Sequence, residues 1–185
     1  MINLNVVSRI AEDKNSFPNL IEVLHTLKNE GINDVQILFI GAIYSRQVYQ
    51  NTLNLAHELG VSSNISFTET SIPLHDLTDE VKNGYFINFT IAQFTGFSGL
   101  EGIRHGLKTI LYNVDSTWEN ELSNSIAYCR TTAELTALIK AIRANQTKLD
   151  EEIKSSNQEL INKFTLDPSS SKKLLDIMLP DKSVN

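Results

Sequence analysis

Two stretches of this sequence gather residue types suited to holding phosphate and polyol groups. The first is Ser8-Arg9-Ile10-Ala11-Glu12-Asp13-Lys14. An Arg and a Lys five residues apart can close on a diphosphate, the Arg with a planar fork of donors and the Lys with a mobile point charge. The same run also reads as a solvated loop whose Glu12, Asp13 and Lys14 face water, and spacing alone leaves both readings open. The second stretch is Thr90-Ile91-Ala92-Gln93-Phe94-Thr95-Gly96-Phe97-Ser98-Gly99-Leu100-Glu101. Gly96 and Gly99 let bare backbone approach a ligand, and N–H groups at a helix start favour an anion. Ser98 and Glu101 also have the spacing of a capping box, with Ser98 at the N-cap and Glu101 three residues on. The two roles are compatible, because a capping carboxylate keeps a second oxygen for a ligand hydroxyl.

Other chemistries fail on their own requirements. Gly96-Phe97-Ser98-Gly99 approaches a nucleophile elbow, but Leu100 stands where the last glycine belongs and no histidine follows His105. His25, His57, His75 and His105 are scattered without metal-ligand spacing, so no metal site is expected. The glycine fingerprint of dinucleotide-binding folds does not follow the first strand, which argues against a nicotinamide or flavin cofactor.

Short apolar runs alternate with amphipathic helices along the chain. Strands are expected at Leu4 to Ile10, Val35 to Ile40, Asn64 to Thr68, Tyr85 to Phe89, Thr109 to Tyr112 and Ala127 to Cys129. The first helix carries Leu20, Val23, Leu24 and Leu27 on one face, with Pro18 in its first turn and Gly31 after its end. Further helices are expected from Arg46 to Gly60, Leu74 to Lys82, Ser98 to His105 and Ala133 to Arg143. Repeated strand–helix alternation predicts an α/β fold, a Rossmann-like parallel sheet with helices on both faces. Ligands of such folds bind beyond the carboxyl ends of the strands, where both stretches lie. Residues 1–145 form this expected domain; residues 146–185 read as a polar helical tail broken at Asp167-Pro168-Ser169.

The 185 residues suit one ordinary domain, and 41% hydrophobic with 21% charged residues suits a soluble globular protein. A net charge of -6 without a dense basic run argues against nucleic acid. A single cysteine, Cys129, suits a reducing compartment, and no leader or membrane-length apolar stretch is seen, so a cytoplasmic location is expected.

Taken in order over roughly residues 3 to 180, these segments resemble the C-terminal, donor-binding domain of GT-B glycosyltransferases of the retaining family 4. That domain opens with a strand ending G-R-[LIV]-x-x-x-K, to which Ser8-Arg9-Ile10 and Lys14 are similar. Its E-x7-E motif and following G-x-P-V-I correspond to Gln93 through Glu101 and Gly106-Leu107-Lys108-Thr109-Ile110. The resemblance implies that Arg9 and Lys14 hold the diphosphate of a nucleotide sugar, UDP- or GDP-linked, and stabilise the departing charge. It implies that Glu101 takes the ribose hydroxyls, and that Gly96, Phe97 and Ser98 offer backbone N–H groups. Gln93 would face the sugar, and the nucleobase would lie near the loop after the third strand, around Thr70 to Ile72, where the backbone reads its edge. No metal is implied, since Arg, Lys and helix N-termini supply the positive charge.

Gln93 replaces the first Glu of the motif, Phe94-Thr95 replaces Gly-Phe, and Lys108 replaces Pro. Gln93 keeps hydrogen-bonding capacity but loses charge. The expected protein is a metal-independent hexosyltransferase of glycan, lipid or polysaccharide biosynthesis, partnered by an N-terminal acceptor domain, with room for peripheral membrane association of the full-length enzyme. With Met1 directly before the first strand, this domain alone is expected to be inactive, with an apolar strip along its tail left exposed or mobile. The alternatives are a nucleotide-sugar 2-epimerase of the same architecture and a catalytically degenerate module that binds nucleotide sugar or a partner.

Overall fold

The computed structural model describes residues 1–14, 17–91, 97–114, 125–165 and 167–178, with side chains for all of these but 97 and 174–178. Among them are six parallel strands: β1 (Ile2–Val7), β2 (Val35–Ile40), β3 (Ile65–Phe67), β4 (Tyr85–Ile91), β5 (Lys108–Val114) and β6 (Tyr128–Cys129). Their order in the sheet is β3-β2-β1-β4-β5-β6. The chain starts in the middle, builds outward through β2 and β3, then returns to the other side of β1. That reversal makes the carboxyl ends of β1 and β4 a topological switch point, beside which such sheets bind their ligands. β1 is in register with β2 from Ile2↔Val35 to Val7↔Ile40, but with β4 only at Leu4↔Tyr85 and Asn5↔Phe86.

Helices cover both faces. On one lie α1 (Phe17–Asn29), α2 (Arg46–Glu58) and α5 (Thr132–Ala144). Leu20, Ile21, Val23, Leu24 and Leu27 of α1 are at most 2% exposed, each worth about 1.5–3 kcal/mol of burial. On the other face lie α3 (Asp79–Lys82) and α4 (Phe97–Arg104). α6 (Gln146–Lys163) serves both: Leu149 and Ile153 join the first core, whereas Leu160 and Ile161 pack with Ile103, Leu111 and Tyr128. α7 (Pro168–Met178) starts under the carboxylate of Asp167, which accepts from the N–H groups of Ser169 and Ser170 at 2.9 and 3.0 Å. Among the described residues, no helix is long and apolar enough to cross a membrane.

The buried carboxamide of Asn157 ties α6 to the sheet. Its Oδ1 accepts from the N–H of Thr109 and its Nδ2 donates to the carbonyl of Thr109, both at 2.8 Å. β6 reaches only Leu111 and Tyr112 of β5, so Asn157 completes the ladder where that strand is too short. Near the amino ends of β4 and β5, Asp150 of α6 accepts from Lys108 Nζ at 2.9 Å and from the hydroxyl of Tyr85.

Three expectations are corrected. β1 ends at Val7 instead of Ile10, which forms only an isolated bridge with Ile43. Gly41 explains the early end: a Cβ there would lie 2.1 Å from the carbonyl oxygen of Ser8, so the two strand ends meet backbone to backbone. The helix expected over Leu74 to Lys82 is a 3-10 turn, Leu74–Asp76, followed by α3. Leu77 stands between them in extended conformation and is 6% exposed; burying it breaks the helix, which Thr78 then restarts by accepting from Val81 N–H. The exposed apolar strip expected along the tail is not found on α6, because Leu149, Ile153, Leu160 and Ile161 are all buried on this domain.

Candidate functional site

Beyond Val7 and Ile40 the chain builds a cavity of about 330 Å³, within the usual range of ligand pockets. It is lined by Val7, Ser8, Arg9, Ile40, Gly41, Tyr44, Ser71 and Ile72. Ile40, with Val7 and Ile72 packed in its cluster, gives an apolar floor, and Arg9, Tyr44 and the hydroxyls of Ser8 and Ser71 mark the rim. A molecule with a flat apolar end and an anionic end suits such walls.

Arg9 is positioned from within its own loop. The 3-10 turn Glu12–Lys14 is closed by Lys14 N–H donating to Ala11 at 3.0 Å, and sets Asp13 one turn from Arg9. Arg9 Nη2 donates to Asp13 Oδ2 at 2.6 Å, both side chains being about half exposed. The guanidinium also lies 6.0 Å from the centroid of the Tyr44 ring.

The loop after β3 brings in Ile72 by a strained route. Glu69 has φ 58°, a left-handed conformation that costs a non-glycine residue of order 1–3 kcal/mol. The Thr68 hydroxyl accepts from Gly41 N–H at 3.1 Å and donates to the Thr70 carbonyl at 2.7 Å, and Tyr49 donates to the Glu69 carboxylate at 3.0 Å. Burial first, and that carboxylate second, raise the Tyr49 pKa, which keeps the phenol a donor. Below the loop, Phe67 stacks on Phe39 with centroids 4.9 Å apart.

On the other side of the switch point α4 begins with Phe97, so Ser98 is its second residue and not its N-cap. The expected capping box is corrected accordingly: Asn88 of β4 donates to the Ser98 hydroxyl at 3.0 Å, pinning α4 to the strand. Glu101, the fifth residue of α4, is exposed. At the ends of β4 and β5, the Thr90 hydroxyl donates to the Asn113 carboxamide.

Of the residues expected to act, Arg9 and Ile72 meet in the cavity. Lys14 is exposed in the same loop but does not line it, and Ser98 and Glu101 stand on α4 outside it. Gln93 and Gly96 lie outside the described residues, as does the side chain of Phe97. Among the described residues, no group of three His, Cys, Asp or Glu could hold a metal ion. Burial, and more weakly Glu134, push the Cys129 thiol up to about 12, so it is no nucleophile near neutral pH. Sequence reasoning missed Tyr44, Thr68 and the pairing of Asp13 with Arg9. An aromatic residue between a strand's carboxyl end and a helix N-cap, as Tyr44 precedes Ser45, was the available signal for the first.

The sequence matches no family model and no curated protein. Solved structures do match its fold. A glycosyltransferase from Rickettsia africae has a TM-score of 0.68 at 18% identity, over 98% of this chain and 48% of its own. The Anabaena protein HepE, solved with UDP and glucose, has a TM-score of 0.69 at 12% identity, over 96% of this chain and 48% of its own. The C-terminal domain of a group 1 glycosyl transferase from Francisella tularensis has a TM-score of 0.60 at 15% identity, over 90% of this chain and 87% of its own. The chain spans about half the length of the first two, and almost all of the isolated domain. Among the described residues, its six-stranded parallel sheet with helices on both faces therefore has the Rossmann-like fold seen in one half of GT-B glycosyltransferases.

Proposed function

We propose that this chain is the donor-binding half of a glycosyltransferase that takes a nucleoside-diphosphate sugar, UDP- or GDP-linked, and transfers the sugar with retention. The observation carrying this reading is the meeting of Arg9 with Ile72 in one cavity at the carboxyl ends of the strands. Arg9 would take the diphosphate, helped by Lys14 from the same loop, and the two cations would stabilise charge on the departing nucleotide without a metal. Ile72 would face the base and Glu101 the ribose. Gly96, Phe97 and Ser98 would supply N–H groups, and Gln93 would hold sugar hydroxyls. UDP and glucose bound to the structurally similar HepE support the ligand class.

A second domain would supply the acceptor and the facing wall, in line with the half-length match to solved chains. Glycan, lipid or polysaccharide synthesis in the cytoplasm is the setting this reading favours. The rival is a catalytically degenerate binding module, which the neutral Gln93 favours. A thermal-shift screen against UDP, GDP, ADP and their sugars tests the ligand class, because a ligand that binds only the folded state raises its melting temperature. A shift with nucleoside diphosphates is expected; none with any of them would contradict the proposal.

A further inference from the structure

We propose that Tyr44 is the aromatic platform on which the nucleobase stacks, a role that rests on the nucleotide reading above. Tyr44 is 72% exposed, more than any other described large hydrophobic side chain except Met1, yet it lines the same cavity as Ile72. Its backbone is held firmly. Tyr44 N–H and Ser45 N–H both donate to the Ile10 carbonyl at 2.9 Å, Ile10 N–H donates to Ala42 at 3.0 Å, and the Ser45 hydroxyl caps α2 through Val48 N–H. A ring on a fixed backbone, left open at the mouth of an apolar-floored cavity, loses little freedom when a flat ligand covers it.

The cavity's cation lies over this ring, the Arg9 guanidinium being 6.0 Å from its centroid, the outer limit of a cation–π contact. A base on Tyr44 would therefore leave its phosphates on the Arg9 side, with Ile72 of the same cavity lining available to bound the base. Stacking needs the ring and not the hydroxyl, so Tyr44→Phe and Tyr44→Ala separate the two.

The test is calorimetric titration of the whole chain and both variants with UDP, GDP and pyrophosphate. Tyr44→Ala should weaken the better-bound nucleotide about tenfold and leave pyrophosphate unchanged. Tyr44→Phe should stay within about twofold for all three, because every aromatic ring offers a stacking face. Equal weakening of nucleotide and pyrophosphate by Tyr44→Ala would mean that the ring acts through Arg9, and would overturn the platform. Unchanged nucleotide affinity in Tyr44→Ala would overturn it too. If the unsubstituted chain binds pyrophosphate but neither nucleotide, the donor reading itself fails, and the platform with it.

Discussion

Arg9 Nη2 lies 2.6 Å from Asp13 Oδ2, so the cation at the cavity rim is already matched by an anion from its own loop. An incoming diphosphate must compete with Asp13 for the guanidinium. Because both side chains are about half exposed, the pair itself is worth little, about 0–1 kcal/mol.

Asp13→Asn should therefore tighten UDP or GDP binding by up to about fivefold, the whole value of such an exposed pair. Arg9→Ala should weaken it by about 1.5–3 kcal/mol, the worth of a charge-assisted hydrogen bond, with little change in melting temperature. Titrations of the three proteins side by side check both. Weaker binding by Asp13→Asn would mean that Asp13 orients Arg9 for the ligand instead of competing with it.

Glu101→Gln should reduce affinity for ribonucleotides while barely changing stability, since Glu101 is exposed and beyond the first turn of α4. The 2′-deoxy nucleotide should lose less than the ribonucleotide on this substitution, by roughly the 1.5 kcal/mol of a charged hydrogen bond. Equal losses for both sugars would remove Glu101 from the ribose.

Asn157→Ala should destabilise the chain by about 2–4 kcal/mol, because it strands the N–H and the carbonyl of Thr109 in a buried place. Urea denaturation measures the loss. A change below about 0.5 kcal/mol would mean that another group or water takes over both bonds.

The contrast between Asn157 and α1 shows what the sequence carries. Leu20, Val23, Leu24 and Leu27 recur at helical spacing, and their burial follows from local pattern alone. Asn157 sits in a polar stretch, and its burial depends on β6 being two residues long, a tertiary circumstance without local signature. At the site, Arg9 was legible from residue type at a strand end, whereas Ile72 came only through family resemblance. Tyr44 has no periodic partner, and its exposure is set by the placement of two loops. The Ser98 cap misled because α4 starts one residue earlier, at Phe97, while the Ser98 hydroxyl accepts from Asn88 of β4.

Alkaline pH should weaken the fold through Tyr85. Burial, then the hydrogen bond and charge of Asp150, raise its pKa well above the ordinary 10.0. A phenol that holds its proton more tightly when folded contributes stability that is complete below pH 10 and lost as pH rises above it. Tyr85→Phe should be less stable at pH 7 by about 1.5 kcal/mol, yet lose stability less steeply than the unsubstituted chain above pH 10. Denaturation midpoints at several pH values would show this; parallel curves would exclude Tyr85 as a source of the pH dependence.

A crystal structure of the chain with whichever of UDP or GDP raises its melting temperature more should show the base between Tyr44 and Ile72 and the diphosphate on Arg9, at the carboxyl ends of β1 and β2. A nucleotide bound on either helical face, or at the amino ends of the strands near Lys108 and Asp150, would contradict the account.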